Sequence, residues 1–429
     1  MLRFFNTTKY SLEDINKELL PAPEDTQKIQ EIVDAIVLDI KRNGDEAVLR
    51  YTRQFDYASA DLDNIKVTDK EIERAVLATD KKLLKAMEHA AENIAAYHEA
   101  QMPSGFMDEF QDGLTLGNRY IPYDSVMCYV PTRKASIPSS LLMSTITAKV
   151  AGVKNIIVSG PAREDGDMPQ GVLAAAKIVG IDEIYKLGGA VAMTAFGIGT
   201  YTFRRVDKIV GPANIFGTLA KKSLYGIVGV DGMYGPSEVV VLADGTVDPE
   251  WIAIDFLSQS EHGTDSQSVL ITPDINYAEK IIRTINTELA TSPRTEYLKK
   301  SLAERGAIVI VKDLSEGVEM ANILAPEHLE LAVENFDDLL PHIKNAGSIL
   351  CGKYSPVAVG DYFAGPNHIL PTARSARFSS GLSVLDFLKR NSIIISNERW
   401  LRNNKDDITA MADHEKLISH SDSIKRRVK

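Results

Sequence analysis

From residue 125 onward, short apolar, β-branched runs alternate with helical stretches, and this rhythm constrains the fold more than any other feature. SVMCYV (125–130), KNIIVSGP (154–161), EIYKLGGA (183–190) and VDKIVGP (206–212) read as strands, with helices expected over Ser139–Ala151, Gly171–Val179 and Val191–Phe196. Strand, helix, strand at this spacing calls for right-handed crossovers and a parallel sheet. A second block repeats the pattern: EVVVLAD (238–244), a helix Pro249–His262, QSVLITP (267–273), a helix Tyr277–Leu289, AIVIV (307–311) and SILCG (348–352). The fold class is therefore α/β, with two units of similar size at 125–236 and 237–381. Residues 1–124 read as mainly helical. Lys28–Asn43 carries Ile29, Ile32, Val33, Ile36, Val37 and Ile40 at helical spacing with Gly44 as a stop, and Leu83–Gln101 is also amphipathic. Beyond SIIIS (392–396), the 382–429 tail reads as helices that could pack on another subunit.

Charge and cysteine content narrow the function classes. A net charge of −11 disfavours a nucleic-acid partner, since phosphate backbones need a basic surface. No apolar run approaches the ~18 residues of a membrane span, so no membrane partner is expected. The start, MLRFFNTTKYSLEDINKELL, turns acidic early and does not read as a signal peptide. Cys128 and Cys351 are the two cysteines, each in a strand-like run. Such a pair makes no disulfide framework and fits a reducing compartment, so the expectation is a cytoplasmic protein.

The chemistry-bearing positions are scattered. Gly197-Ile-Gly199 lacks a third glycine and follows a helix, so it fails the dinucleotide fingerprint. Gly188-Gly189-Ala190 and Gly211-Pro212-Ala213-Asn214 sit at expected strand ends, where glycine lets a backbone approach a phosphate or a ring; ordinary tight turns look the same. Gln259 and His262, three apart near a helix end, share a face. Asp361 lies in a Gly-Asp-Tyr turn with His368 seven residues on, Glu327 and His328 are read as starting a helix after Pro326, and His420 follows Glu415 on a short amphipathic segment. Each has a plainer reading: Glu327 as a helix-dipole partner, His262 as a cap, Asp361 as a turn residue, His368 and His420 as satisfied or solvated side chains. No HExxH or other compact metal motif is present. A mixed N/O metal site from distant segments does not follow from spacing alone.

Taken together, PSSLLM, AKVAGV, VDKIVGPANI, GPSEVVVLAD, DFLSQSEHGTDSQSVLIT, APEHLEL, AGSILCG, GDYFAGPNHILPT, SGLSVLDF and EKLISH resemble the histidinol dehydrogenase family, with a fainter match in GDEAVLRYTRQFD. The likeness is collinear from about residue 43 to 427. It implies two similar incomplete Rossmann-like domains with small helical N- and C-terminal pieces. The N-terminal region would partly join the second α/β domain, 125–236 would be the NAD-side domain, and the protein would be a homodimer whose tail enters the partner's site. By this resemblance Gln259, His262, Asp361 and His420 would be the Zn2+ ligands, with His420 supplied by the other subunit. Two imidazole nitrogens and two side-chain oxygens suit zinc. The same residues would contact an amino-alcohol substrate together with Ser237, His328, His368 and Glu415. Tyr129 and Asn214 would contact NAD, and Glu327 and His328 would be the catalytic acid–base pair. The implied reaction is NAD-linked, four-electron oxidation of L-histidinol to L-histidine through the aldehyde. His328 would take the hydroxyl proton in the first step, and Glu327 would activate water in the second.

The chain departs from the family pattern mostly on the cofactor side. Thr132 and Arg133 stand where a Gly-Gly pair is usual, Val191 where a glutamine contacts NAD, Ala213 for a glycine, and Lys416 for a glycine beside Glu415. Arg133 could grip a phosphate or another anion. These changes keep two alternatives open: a paralogous NAD-dependent dehydrogenase of another small polar alcohol, such as a sulfopropanediol, and a zinc-binding protein without redox function.

Overall fold

The computed structural model describes residues 2–20, 26–132 and 137–428. Its organising elements are two parallel sheets with one shared topology. In the first, the strands run in space Ile184–Tyr185, Asn155–Ser159, Ser125–Tyr129, Lys208–Val210, Gly229–Val230. In the second they run Gly306–Ile310, Gln267–Thr272, Glu238–Ala243, His328–Ala332, Ser348–Cys351, with Arg3–Asn6 added beyond Gly306–Ile310. Counted along the chain, both orders are 3-2-1-4-5, the doubly wound arrangement whose first and fourth strands flank a switch point. All pairings in both sheets are parallel, and the central strands are buried on both faces, which is why they read as continuous apolar runs.

The helix Leu12–Leu19 packs against the second sheet, and the N-terminal helices after it serve the first. Gln27–Phe55 breaks at Gly44 (φ 54°, ψ −133°), where glycine ends one helical stretch and the chain re-enters another. Its Val33, Ile36, Ile40 and Val48 share one core with Met127, Leu141, Val158 and Phe196, and Asp69–Ala78 and Lys81–Ala100 cover the same unit. The second sheet has separate cores on its two faces. Residues 1–124 are less uniformly helical than their sequence suggests. Phe106–Gln111 and Leu114–Pro122 form an antiparallel pair, and Leu388–Ser396 from the tail extends it to three strands. Beyond it lie Glu398–Asn403, Lys405–His414 and Ile418–Arg427. Among the described residues, no helix is long and apolar enough to cross a membrane.

One sequence expectation fails at the point that matters most. Glu327 and His328 do not open a helix. The helix Leu314–Leu324 stops when Ala325 turns left-handed (φ 46°), and His328–Ala332 is the strand beside Glu238–Ala243. Pro326 therefore ends one element rather than starting another. Asp361, read as a turn residue, lies instead in the short helix Val357–Tyr362.

Candidate active site

The switch point of the second sheet carries the site, at its amino-terminal edge. Ser237 and Glu238 enter one strand, and Glu327 and His328 enter its neighbour, with His328 paired to Val239. A single residue, Glu238, holds both members of the pair through its backbone. Its N–H donates to Glu327 Oε2 at 2.8 Å, and its carbonyl lies 3.2 Å from His328 Nδ1. A carbonyl only accepts, so Nδ1 carries a proton and Nε2 is the atom left to act. That Nε2 is buried and has no hydrogen-bond partner, although Asp361 Oδ1 stands 3.4 Å away. Glu327 Oε2 also lies 3.6 Å from His328 Nδ1 and accepts from Gln259 Nε2 at 3.4 Å.

Four elements thus bring the proposed residues together. Gln259 projects from the helix Pro249–Ser260 and is buried, and its Oε1 finds no protein partner. An orphaned buried acceptor is costly unless something else satisfies it. Asp361 and His368 are linked, since His368 Nδ1 donates to the Asp361 carbonyl at 2.8 Å. His368 Nε2 faces Ser140 Oγ at 3.2 Å, on the helix Pro138–Val150 of the first unit. Both ring nitrogens of His368 are therefore engaged by protein, and one of these bonds ties it to the Asp361 backbone. His262 is exposed just past the end of its helix, its charge acting on Asp361.

The electrostatics follow from burial and crowding. Burial alone would lower the His328 pKa, but the Glu327 and Asp361 carboxylates outweigh it and raise it to about 10. Burial would raise the Asp361 pKa, yet His328, His368 and His262 hold it below the ordinary carboxylate range. Burial lowers His368, in keeping with a neutral ring that accepts from Ser140. Glu238, through lost solvent and the nearby Glu327, is pushed up to about 7. Neither Glu238 nor the buried Glu330 was singled out from sequence. The former hides in the run GPSE, and the latter in the alternation His-Leu-Glu-Leu-Ala, which also marks the strand that was missed.

The tail residues stand apart. Glu415 and His420 are exposed, and among the described residues neither side chain makes a hydrogen bond or ion pair with the rest of the chain. Among the described residues, no three His, Cys, Asp or Glu side chains are grouped to hold a metal. The donors that one chain does assemble are the free Gln259 Oε1, the ionised Asp361 and the nearby His262. An N/O set with an orphaned amide oxygen fits a zinc ion that takes one more ligand from elsewhere.

On the first sheet the candidate cofactor residues line the carboxyl ends of the strands. Tyr129 OH accepts from Gly189 N at 2.9 Å, and Asn214 caps the helix Ile215–Leu224 by accepting from Gly217 N at 3.1 Å. Gly211 has φ 109°, and a Cβ there would fall 2.3 Å from the Tyr129 carbonyl, so only glycine fits. Val191 is buried inside the helix Gly189–Ile198. Thr132 is buried as well, its hydroxyl donating to the Pro161 carbonyl, which ties two strand ends together. Arg133 lies outside the described residues.

Two doubly wound sheets with a carboxylate–imidazole pair buried at the edge of one mark an α/β enzyme. The histidinol dehydrogenase family model matches residues 21–428. The chain is 44% identical over 402 residues to histidinol dehydrogenase of Bacillus subtilis, covering 94% of each chain. It is 42% identical over 406 residues to that of Clostridium acetobutylicum, covering 95% of this chain and 94% of the relative. The crystal structure of histidinol dehydrogenase from Elizabethkingia anophelis superimposes with a TM-score of 0.94 at 33% identity, covering 100% of this chain and 98% of that one. The chain belongs to the histidinol dehydrogenase family and is an oxidoreductase.

Proposed function

We propose that the protein oxidises L-histidinol to L-histidine in two steps, each releasing one NADH, with Zn2+ in the site. The observation that carries this reading is the convergence of two buried atoms without a hydrogen-bond partner, His328 Nε2 and Gln259 Oε1, beside Glu327 and Asp361. When bound, zinc would orient the substrate's amine and imidazole, and NAD would accept the electron pair of each step.

The protein's own groups supply the rest. Glu238 holds His328 as the Nδ1–H form, which leaves Nε2 to take the hydroxyl proton in the first oxidation. With Asp361 turned to a cation, one of the two carboxylates that raise His328 is neutralised, and the ring becomes a usable base. In the second oxidation Glu327, fixed by the Glu238 N–H, removes a proton from the water that adds to the aldehyde. Gln259, His262 and Asp361 would hold the metal, and Ser237 would help seat the substrate. Tyr129 and Asn214 would meet NAD at the strand ends of the first sheet.

Glu415 and His420 would serve a second copy of the chain. Their exposure on the tail, together with Ile394, Ile395, Phe106 and Phe110 exposed on the antiparallel strands, supports a homodimer in which each tail completes its partner's site. The free thiols Cys128 and Cys351 fit work in the cytoplasm.

The test is the NADH yield per histidinol consumed by zinc-loaded protein. Two per substrate are expected, lost in Glu327→Gln and His328→Asn. No NADH from folded, zinc-bound protein would overturn the reading.

A further inference from the structure

Glu330 is a buried carboxyl with a task that the acid–base pair leaves unexplained. It lies two residues beyond His328 on the strand His328–Ala332, so both side chains leave the same face. Its Oε1 accepts from the Val357 N–H at 2.9 Å, inside the protein. Val357 is the first residue of the helix Val357–Tyr362, whose fifth residue is Asp361. Pro356 precedes it and contributes no N–H, so the Glu330 bond is what ties that helix start to the strand. A third element joins them. Asp255 sits one turn before Gln259 on the helix Pro249–Ser260, close enough for its carboxyl to act on Glu330. Burial and that neighbour push Glu330 up to about 8, while burial raises Asp255 to about 6, so the pair retains a proton in conditions where solvated carboxyls have none. The strand of Glu327 and His328, the helix of Gln259 and the helix of Asp361 therefore meet at one acid pair, Glu330 buried and Asp255 half-buried.

We propose that Glu330 is a positioning residue for the metal site, fixing the start of the Val357–Tyr362 helix, and with it Asp361, to the strand that carries His328. The lever is short and stiff. Four residues of helix separate Val357 from Asp361, roughly 6 Å at 1.5 Å per residue, so movement at the tie passes to the carboxylate with little loss. Ligand geometry sets metal affinity, and removing an outer support typically costs about 10–100-fold. The inference rests on reading Gln259, His262 and Asp361 as metal ligands.

Three variants of the full-length protein separate the alternatives, with zinc affinity measured by chelator competition and geometry by the visible spectrum of the Co2+ form. Glu330→Gln keeps an oxygen for the Val357 N–H and should bind zinc within about threefold of the parent, with an unchanged Co2+ spectrum. Glu330→Ala should bind zinc about tenfold or more weakly, with an altered spectrum. Val357→Pro removes the donor while leaving Glu330 in place, at a helix position that tolerates proline, and should show the same loss. It carries the test if Glu330→Ala does not fold. Folded Glu330→Ala or Val357→Pro with parental affinity and spectrum would overturn the inference, as would a Gln variant as impaired as the Ala variant. A parent that binds no zinc would instead overturn the metal-ligand reading itself.

Discussion

Lys221 and Asp231 offer the sharpest test of how the turn proposed to meet NAD is held. Their side chains are 1% and 2% exposed, and Lys221 Nζ meets Asp231 Oδ1 at 2.7 Å. The pair does more than neutralise itself. Lys221 also donates to the Gly211 carbonyl, while Asp231 Oδ2 accepts from Gly211 N at 2.6 Å and from Tyr234 OH at 2.8 Å. Both backbone polar groups of Gly211 are thus held by one ion pair, three residues before Asn214. Lys221→Met keeps the apolar stem and deletes the charge. It strands Asp231 in the interior with two donors remaining on Oδ2 and none on Oδ1. Removing one partner of a buried pair costs about 3–5 kcal/mol, and the surviving donors favour the lower end, roughly 3 kcal/mol.

The assay is a double-mutant cycle by urea denaturation, with Lys221→Met, Asp231→Asn and the double variant followed by circular dichroism. Each single variant should lose about 3 kcal/mol. The double variant should lose about as much as either single variant rather than twice as much, because neither charge is left alone. Affinity for NAD, titrated by calorimetry, should fall by about tenfold in either single variant as the turn that carries Asn214 loosens. A loss under about 1 kcal/mol for Lys221→Met, or strictly additive losses, would refute the claim that this pair braces the turn.

Glu330 gives a pH signature. Its folded pKa of about 8 lies above that of an unfolded Glu, so its contribution is intact below about pH 4 and is lost as pH rises through 8. In zinc-free protein, Glu330→Gln should gain steadily on the parent in urea midpoints as pH rises from 5 to 8, and a pH-independent gap would contradict this. Lys416 occupies the left-handed position (φ 60°) of a helix end in which Leu417 N bonds Ala412 O and Lys416 N bonds Asp413 O. Lys416→Gly should therefore stabilise the tail by about 1 kcal/mol, read as slower amide exchange over 405–417. In the proposed homodimer, mixing Glu327→Gln and His420→Asn chains, each expected to be inactive alone, should restore about a quarter of parental activity after dissociation, since half the dimers would be hybrids with one intact site each; no recovery would place His420 in its own chain's site.

Much of the architecture was legible because buried parallel strands announce themselves. Runs such as NIIVS and EVVVLA have no polar face to confuse the reading, and glycines or proline mark their ends. The strand His328–Ala332 escaped because Pro326 followed by an acidic residue imitates a helix start, while the deciding fact, a left-handed Ala325, has no sequence mark. Arg3–Asn6 escaped because its pairing with Gly306–Ile310 spans most of the chain. The candidate site was legible only by likeness of motifs: no spacing rule joins Gln259, Glu327 and Asp361, which tertiary contacts alone bring together. Glu238 is the instructive omission, because it acts on Glu327 and His328 through its peptide group, and any side chain offers that.

The two sheets share a strand order but gather their candidate residues at opposite ends, and the proposed reaction gives a reason for it. The first sheet offers its carboxyl ends, where Tyr129, Gly189 and Gly211 gather as the switch-point rule requires. The second offers its amino ends, where Glu238, Glu327 and His328 begin their strands. A hydride passes only between atoms in near contact, so in the proposed reaction the acid–base pair and the nicotinamide would have to share one crevice. Had the second unit used its carboxyl edge, the acid–base pair would sit at the far end of His328–Ala332, about 13 Å away at 3.3 Å per residue. The contact between Ser140 Oγ on the first unit and His368 Nε2 on the second shows the two edges already meeting beside Asp361. Duplicated topology supplied two equivalent crevices, and the facing of unlike ends turns them into a single one.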